Sequence, residues 1–254
     1  MPKKAILEPA VVPDIQHTVP EVFIFESLGK ADEKAKRYEG LVLADMLRLA
    51  GKNPKYYYFQ SEEELPHLLG LFRQSKYRYL HISAHASATH VGTTEGSLTY
   101  AKFAKLFAGH LPLRRLFFSA CQVGNQKFVD AVAAENKGMH SIVAPAEDIR
   151  FDHAAALWST FYISMFTENE KAMKRADIEK RLKALTGLFP VDFFFATYAA
   201  AKDVWKCETI KKRSLSRELS HFHAASCLSS SRSWDDFWRF RLTTSGRLQL
   251  RHFP

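Results

Sequence analysis

The sequence predicts an α/β fold in which a mostly parallel sheet carries helices on both faces. Short continuous apolar runs alternate with helical apolar patterns at least four times along the chain, and this order produces parallel strands joined by crossover helices. With 254 residues and a 46% apolar composition, the chain can bury the core of one medium-sized domain. In sheets of this kind the functional sites lie at the carboxyl ends of the strands.

The first strand is predicted at Val22–Phe25, because a short continuous apolar run is typical of a strand buried on both faces. A helix is predicted over Glu33–Ala50, followed by a strand at Tyr56–Phe59. Ser61 precedes three acidic residues, which is the pattern of a helix N-cap and first turn. The next helix is therefore predicted over Leu65–Phe72.

The alternation continues through the middle of the chain. Further strands are predicted at Tyr77–Ser83, Leu116–Ser119 and Ser141–Ala144, and further helices at Thr99–Ala108, Gln126–Glu135, Asp152–Thr167 and Ala176–Leu188. The stretch Asp192–Tyr198 fits a strand or a helix. The α/β domain is predicted to occupy residues 1–204.

The composition changes at Trp205: the last fifty residues hold nine serines and ten lysines or arginines, against four acidic residues. Residues 205–254 are therefore predicted to be a basic, Ser-rich extension with a β-hairpin over residues 238–250. This extension carries most of the net charge of +9. Its arginines alternate with aromatic residues, which suits nucleic-acid binding, but a solvated hairpin face explains the pattern as well. Nucleic acid is therefore not the expected partner.

The chain has three cysteines, Cys121, Cys207 and Cys227, and no two of them are close in sequence. This odd count argues against a secreted disulfide framework and against a cysteine-rich zinc site. No apolar run approaches the roughly 18 residues that span a bilayer, and the N-terminus lacks the apolar core of a signal peptide. The sequence predicts a soluble cytoplasmic protein with reduced thiols and without a metal, a cofactor or a membrane anchor.

Two of the predicted strands end in reactive side chains. His85 follows the strand Tyr77–Ser83, and Cys121 follows the strand Leu116–Ser119. Adjacent strands lie about 4.8 Å apart, so residues just beyond the ends of parallel neighbours are expected within hydrogen-bonding or one-water reach. An imidazole beside a thiol favours the thiolate, which is a nucleophile for acyl transfer. The pattern predicts that Cys121 and His85 are catalytic residues.

The segment around the cysteine is Ser119-Ala120-Cys121-Gln122-Val123-Gly124, and His85 lies 36 residues before Cys121. This pattern resembles the caspase-like cysteine peptidases, in which an Ala-Cys dipeptide follows an apolar strand and a histidine ends the preceding strand. The run 141–145 and the helix 154–162 resemble the CHAT branch of that family, which is found widely in prokaryotes. The resemblance covers about residues 22–167.

The resemblance implies a caspase-like three-layer sandwich. It also implies a cysteine endopeptidase that cleaves a protein partner, in prokaryotic antiviral defence or programmed cell death, with a regulatory protein as a further partner. The backbone amides of Ala86 and Cys121 are implied to bind the oxyanion of the reaction. No cofactor is required.

Three positions depart from the family pattern. Ser119 stands where caspases carry Gln, Val123 stands where they carry Gly, and Ala86 stands where the family has Gly directly after the catalytic histidine. Alanine keeps the amide donor but disfavours a positive φ. If Ala86 spoils the oxyanion site, the resemblance implies an alternative, which is a catalytically inactive caspase-like module that binds a protein partner as an adaptor.

In this family the substrate residue before the cut bond, P1, is held by loops that follow the first, histidine-bearing and cysteine-bearing strands. Glu26 follows the first predicted strand, and Asp148 and Asp152 follow the strand beyond Cys121. An acidic residue in this pocket would select Lys or Arg by charge pairing. Glu26 is the first candidate, because a carboxylate beyond a buried strand is expected to face solvent, a helix cap or a ligand. His81 is expected to be a core or supporting histidine.

Overall fold

The structure is a computed structural model, and it describes residues 17–212. The strands are β1 (Val19–Ser27), β2 (Lys55–Tyr58), β3 (Tyr77–Ala84), β4 (His90–Gly92), β5 (Ser97–Thr99), β6 (Arg115–Ser119), β7 (Ser141–Pro145), β8 (Phe193–Ala199) and β9 (Val204–Ile210). The α-helices are α1 (Lys30–Lys34), α2 (Glu39–Leu49), α3 (Leu65–Ser75), α4 (Tyr100–Leu106), α5 (Gln126–Glu135), α6 (Phe151–Glu168) and α7 (Arg175–Leu185).

Seven of these strands form one sheet in the order β2-β1-β3-β6-β7-β8-β9. The first five strands are parallel to one another, β8 pairs antiparallel with β7, and β9 pairs antiparallel with β8. The strands β4 and β5 form a separate antiparallel pair. The predicted α/β class with a mostly parallel sheet is therefore confirmed.

Helices cover both faces of this sheet, so the described residues form three layers. Along β1, Phe23 and Phe25 point into a core shared with α3, α4 and α5, while Val22 and Ile24 point into a core shared with α2, α6 and α7. This alternation follows from the two-residue period of a strand. We call the second side the α2/α6 face. None of the helices in the described part of the chain combines the length and the apolar content that a membrane span needs.

The single helix predicted over Glu33–Ala50 is wrong, because the structure has two helices there. The backbone of Lys36 takes a left-handed conformation (φ 56°) between α1 and α2. The second helix starts at Glu39, where the amide of Gly40 donates a hydrogen bond to the buried carboxylate of Glu26. The start of α2 is therefore set by a hydrogen bond to Glu26 of β1, a residue distant in sequence. Residues 35–38, between the two helices, contain no glycine that would have indicated the break. By contrast, Ser61 is an N-cap as predicted, and it forms a capping box with Glu64.

The ambiguous stretch Asp192–Tyr198 forms β8, and β9 then pairs with it along its whole length. Because β9 covers Val204–Ile210, the sheet continues beyond residue 204, where the sequence analysis placed the domain boundary. In the register, Ile210 is opposite Phe193, which is opposite Pro145 at the carboxyl end of β7. The chain therefore leaves β9 at the carboxyl edge of the parallel strands. The predicted hairpin at residues 238–250 lies outside the described residues.

Candidate active site

The two residues predicted to be catalytic lie at the same edge of the sheet. Ser83 of β3 is directly opposite Ser119 of β6, and His85 and Cys121 each come two residues later. Both strands run in the same direction, so the imidazole and the thiol emerge side by side. Cys121 is half-buried, and the His85 side chain is 48% exposed. This placement leaves the pair accessible at the carboxyl edge, where the fold class predicts a site.

The His85 imidazole is held by a carboxylate that the sequence analysis missed. Nε2 of His85 lies 2.7 Å from Oδ2 of Asp32, and Arg37 donates to the other oxygen of Asp32 at 3.0 Å. Partial burial acts to raise the pKa of Asp32, but the hydrogen bonds from His85 and Arg37 outweigh it, and the pKa is lowered. Asp32 is thus an anionic partner that fixes the orientation of the ring.

The Cys121 thiol has a different partner from the one predicted. It donates a hydrogen bond to the carbonyl oxygen of Ile149 (3.7 Å), and no hydrogen bond joins it to His85 in the described structure. Burial raises the pKa of the thiol, the negative charge of Asp148 adds to this effect, and the two outweigh the lowering effect of nearby backbone groups. The nucleophile is therefore held as a protonated thiol in this conformation.

Residues 147–151, which we call the covering segment, touch both members of the pair. The carbonyl oxygen of Glu147 accepts from the Gln122 amide at 3.3 Å, and that of Ile149 accepts from the thiol. The ring of Phe151 packs edge-on against the His85 ring, with centroids 5.2 Å apart. The covering segment therefore bridges the cysteine and the histidine.

Two backbone amides beside the pair have no acceptor. On either side of Ala86, the His85 carbonyl accepts from Gly92 (2.7 Å) and the Ser87 amide donates to His90 (2.9 Å). The amides of Ala86 and Cys121 donate no hydrogen bond to any other described residue. Residue 86 also does not take a positive φ, so alanine fits this position without backbone strain.

The chain after Cys121 turns sharply and returns to the sheet. Gln122 has a left-handed backbone (φ 59°), and the amide of Gly124 donates to the carbonyl oxygen of Pro145 at 2.7 Å. A Cβ atom at position 124 would lie 2.5 Å from the carbonyl oxygen of Ala144. The glycine is required because residues 121–125, which we call the cysteine loop, lie directly against β7.

The expectation that Glu26 faces solvent or a substrate is wrong. Its side chain is fully buried on the α2/α6 face and accepts hydrogen bonds from the Gly40 amide (2.7 Å), the Tyr56 hydroxyl (2.8 Å) and the Ser83 hydroxyl (3.3 Å). Burial raises its pKa against the effect of these bonds. Glu26 therefore caps the start of α2, which is one of the three roles expected for it.

The other two P1 candidates already have partners. Asp148 accepts a hydrogen bond from the side chain of Gln122 at 2.9 Å, and Asp152 forms an exposed ion pair with Arg150 at 2.7 Å. Asp152 also lines a cavity with Arg37, Arg150 and Phe151, the last of which packs on His85. A role for Asp148 or Asp152 in the P1 pocket stays a prediction. His81 agrees with its expected place in the core, since it is fully buried and lies 3.3 Å from the Tyr162 hydroxyl.

The fold and the site together define a class of protein: a three-layer α/β domain with a cysteine and a histidine at the carboxyl edge of a mostly parallel sheet. No protein-family model and no curated protein matches the sequence. Among solved structures, the chain is similar to caspase-1 from Spodoptera frugiperda, with 11% identity and a TM-score of 0.48, over 79% of this chain and 92% of that chain.

It is also similar to the complex of the pro- and mature domains of RgpB from Porphyromonas gingivalis. Identity is 14% and the TM-score is 0.45, over 66% of this chain and 43% of that chain. The chain thus spans less than half of the RgpB chain that it matches. Both similarities concern the fold.

Proposed function

We propose that this protein is a cysteine endopeptidase that cleaves a protein substrate with Cys121 as nucleophile and His85 as general base and acid. The observation that carries the proposal is the matched register of β3 and β6. It brings the cysteine and the histidine to one edge, with Asp32 bonded to the imidazole and two unpaired amides beside them.

In the proposed reaction His85 takes the proton of the Cys121 thiol, and the sulfur bonds to the carbonyl carbon of the substrate. Asp32 occupies Nε2 of the ring, which leaves Nδ1 to accept that proton. The amides of Ala86 and Cys121 stabilise the oxyanion. When the C–N bond breaks, the imidazolium returns the proton to the leaving amine. Water activated by His85 then releases the acyl group and restores the thiol.

The described conformation corresponds to a resting state of such an enzyme. The thiol is protonated and bonded to Ile149, and Phe151 covers one side of the imidazole. Displacement of the covering segment would free the sulfur and let the ring approach it. Control of this step is the natural role for a regulatory protein partner. By its resemblance to CHAT proteins, we place the proposed activity in the prokaryotic cytoplasm, in antiviral defence or programmed cell death.

The test is a digest of a peptide library read by mass spectrometry. We expect cleavage by the wild-type protein and none by Cys121→Ala or His85→Ala, both of which should fold because a methyl group is tolerated at the strand ends. Cys207→Ala is the matched control, since Cys207 is another half-buried free thiol, in β9. Cleavage by purified Cys121→Ala protein would contradict the mechanism.

The hydrogen bond from Cys121 to Ile149 favours a second candidate function, a catalytically inactive adaptor. In an adaptor the covering segment would never leave, and Cys121 would remain an unreactive thiol. Alkylation with iodoacetamide separates the two functions. A peptidase should show faster labelling at Cys121 than at Cys207 once its activating partner or substrate is present, whereas an adaptor should label both at the slow rate of protonated, half-buried thiols.

A further inference from the structure

We infer that a basic cavity at the amino edge of the sheet binds a small phosphorylated ligand. We call it the amino-edge cavity. Its volume is about 390 Å³, and its lining includes Arg78, Arg115, Lys174, His17 and His140. No acidic residue among those described lines it. The inference does not depend on the proposed peptidase function, because it concerns a different site.

The amino-edge cavity lies where three strands begin. Arg78 is the second residue of β3, Arg115 is the first residue of β6, and His140 directly precedes β7. His85 follows the other end of β3, and the seven residues from Arg78 to His85 correspond to about 20 Å of strand. The cavity is therefore at the opposite end of the strands from the candidate active site, and it is separate from that site.

The guanidinium group of Arg78 is held in place by three hydrogen bonds. Its Nε donates to the Thr18 hydroxyl at 2.8 Å, and its two terminal nitrogens donate to the carbonyl oxygens of Thr18 and Lys171, each at 2.7 Å. A guanidinium group has five N–H donors, so donors remain for a ligand. Because the group is already fixed, less conformational entropy is lost when a ligand binds to it.

Arg115 has more donors available than Arg78. It is half-buried and donates one hydrogen bond in the described structure, to the Ser141 hydroxyl at 2.8 Å. Burial lowers its pKa, and the positive charge of Arg78 adds to this effect, while Tyr79 opposes it. No ion pair joins either arginine to a described carboxylate. An anion in the cavity would therefore gain charge-assisted hydrogen bonds from a cation that lacks a partner of opposite charge.

Three further features favour an anion in the same place. Lys174 lines the cavity and is exposed, and α7 begins at the next residue without a side-chain cap. The first amides of a helix carry partial positive charge. The imidazole of His140 lies in the same positive field, since burial together with Arg115 and Arg78 lowers its pKa to about 4. A neutral imidazole still offers one hydrogen-bond donor.

This set of donors suits a phosphoryl group better than a carboxylate. A phosphate ester carries up to about two negative charges and three strong acceptor oxygens, so it can pair with two guanidinium groups and an ammonium group together. A carboxylate has one charge and two oxygens. The cavity is also larger than a phosphoryl group needs, since sites for small molecules start at about 300 Å³. Apolar surface for the rest of the ligand comes from Leu113, Ala172 and Met173.

The test is calorimetric titration of the full chain with pyrophosphate, for which we expect saturable binding to one site. Arg115→Gln removes the charge but keeps a polar side chain, and we expect it to weaken binding by about tenfold or more. Lys174→Gln, at an exposed position, should weaken binding by about threefold. The matched control is Arg150→Gln, because Arg150 lines the cavity beside the candidate active site. This variant should bind pyrophosphate as the wild-type protein does.

Several results would overturn the inference. They are no saturable binding by the wild-type protein, unchanged affinity in folded Arg115→Gln protein, or a loss of affinity in Arg150→Gln alone. Acetate should bind at least about tenfold more weakly than pyrophosphate, and equal affinities would overturn the phosphoryl class. Basic residues after Lys212 are the same in every variant, so weak binding to them contributes equally. Because Lys174→Gln changes an exposed side chain, the test holds even if Arg115→Gln folds poorly.

Discussion

The bond between Asp32 and His85 is the contact on which the proposed chemistry depends most at the scale of single residues. Asp32→Asn keeps the size of the side chain but removes the charge that stabilises the imidazolium. We expect kcat to fall by at least about tenfold while KM stays nearly constant, because the contact matters once His85 carries a proton. Steady-state kinetics checks this split. Asp45→Asn, which breaks an exposed ion pair with Arg48, should leave both constants unchanged.

The buried carboxyl group of Glu39, the first residue of α2, leads to a second prediction, which concerns stability. Burial raises its pKa from 4.5 to about 8, so the folded state retains a proton that the unfolded state releases, and stability falls as pH rises through this range. His81 acts in the opposite sense below pH 6.5, because it is neutral when folded. Glu26 has a raised pKa like Glu39, and the hydroxyl of Tyr162 stays protonated.

Between pH 6.5 and 8 the Glu39 contribution should therefore be visible. We expect the free energy of unfolding of the wild-type protein to decrease by up to about 1.4 kcal/mol per pH unit relative to Glu39→Gln. Chemical denaturation of both proteins at pH 6.5 and pH 8 measures the difference. Equal slopes for the two proteins would show that Glu39 is ionised in the folded state.

The sequence placed Cys121 and His85 at one edge of the sheet, because their position after apolar strands is a local pattern. Their catalytic role stays a prediction. The sequence analysis assigned Glu26 wrongly and missed Asp32, because the direction of a carboxylate depends on which helix start or ring lies opposite. The concern about Ala86 likewise depended on a backbone angle, and the structure shows no positive φ there. The residues that follow a strand can thus be predicted from a sequence, whereas the hydrogen-bond partners of each side chain cannot.

At the scale of elements, the loop after Cys121 depends on Gly124. A methyl group there would meet the carbonyl oxygens of Ala144 and Pro145 at 2.5 and 2.7 Å. Gly124→Ala should therefore cost about 1 to 3 kcal/mol of stability and displace the cysteine loop from β7. Thermal unfolding measures the loss. Gly70→Ala is the control, since no atom lies within 4 Å of a Cβ in the middle of α3, and it should be neutral or stabilising.

The covering segment yields a prediction about reactivity. The Glu147 carboxylate accepts from the Asp192 amide and from the ammonium group of Lys212. Glu147→Ala removes both contacts. The ion pair is exposed and contributes little, so we expect a total loss of about 1 kcal/mol, equivalent to roughly fivefold faster alkylation of Cys121. Cys207 serves as an internal reference in the same sample. An unchanged ratio of the two labelling rates would mean that other contacts hold the segment.

Elements with strong local signals were predicted well. The helix α5 begins and ends where the sequence indicated, since the Asn125 side chain caps it by accepting from the Phe128 amide. The break between α1 and α2 has no such signal. The strand β9 was missed because it is a half-exposed edge strand with charged residues in it, so its apolar residues show no clear alternation.

At the scale of the whole molecule, the extent of the sheet decides which part of the chain can fold alone. A protein truncated after Lys212 keeps every described strand, whereas one truncated after residue 204 loses β9 and exposes the edge of β8. We expect the first to unfold cooperatively at nearly the temperature of the full chain. The second should lose about 3 kcal/mol or more and unfold roughly 10 °C lower, with a tendency to aggregate. Scanning calorimetry and gel filtration check both outcomes.

The overall class could be predicted because alternation of strands and helices leaves few arrangements. The order of strands at the antiparallel end could not, since it depends on pairing between β7 and β8, which are separated in sequence by α6 and α7.

The contacts of Lys212 with Glu147 and Asp192 place the last described residues beside the cysteine loop. Forty-two residues follow Lys212 in the sequence. Any protein bound within them is tethered next to Cys121, and for a tethered partner the rate of encounter depends on the length of the connection rather than on the bulk concentration. A weak fit between the site and such a partner would then suffice for efficient cleavage, and the choice of substrate would be made largely by what the extension binds.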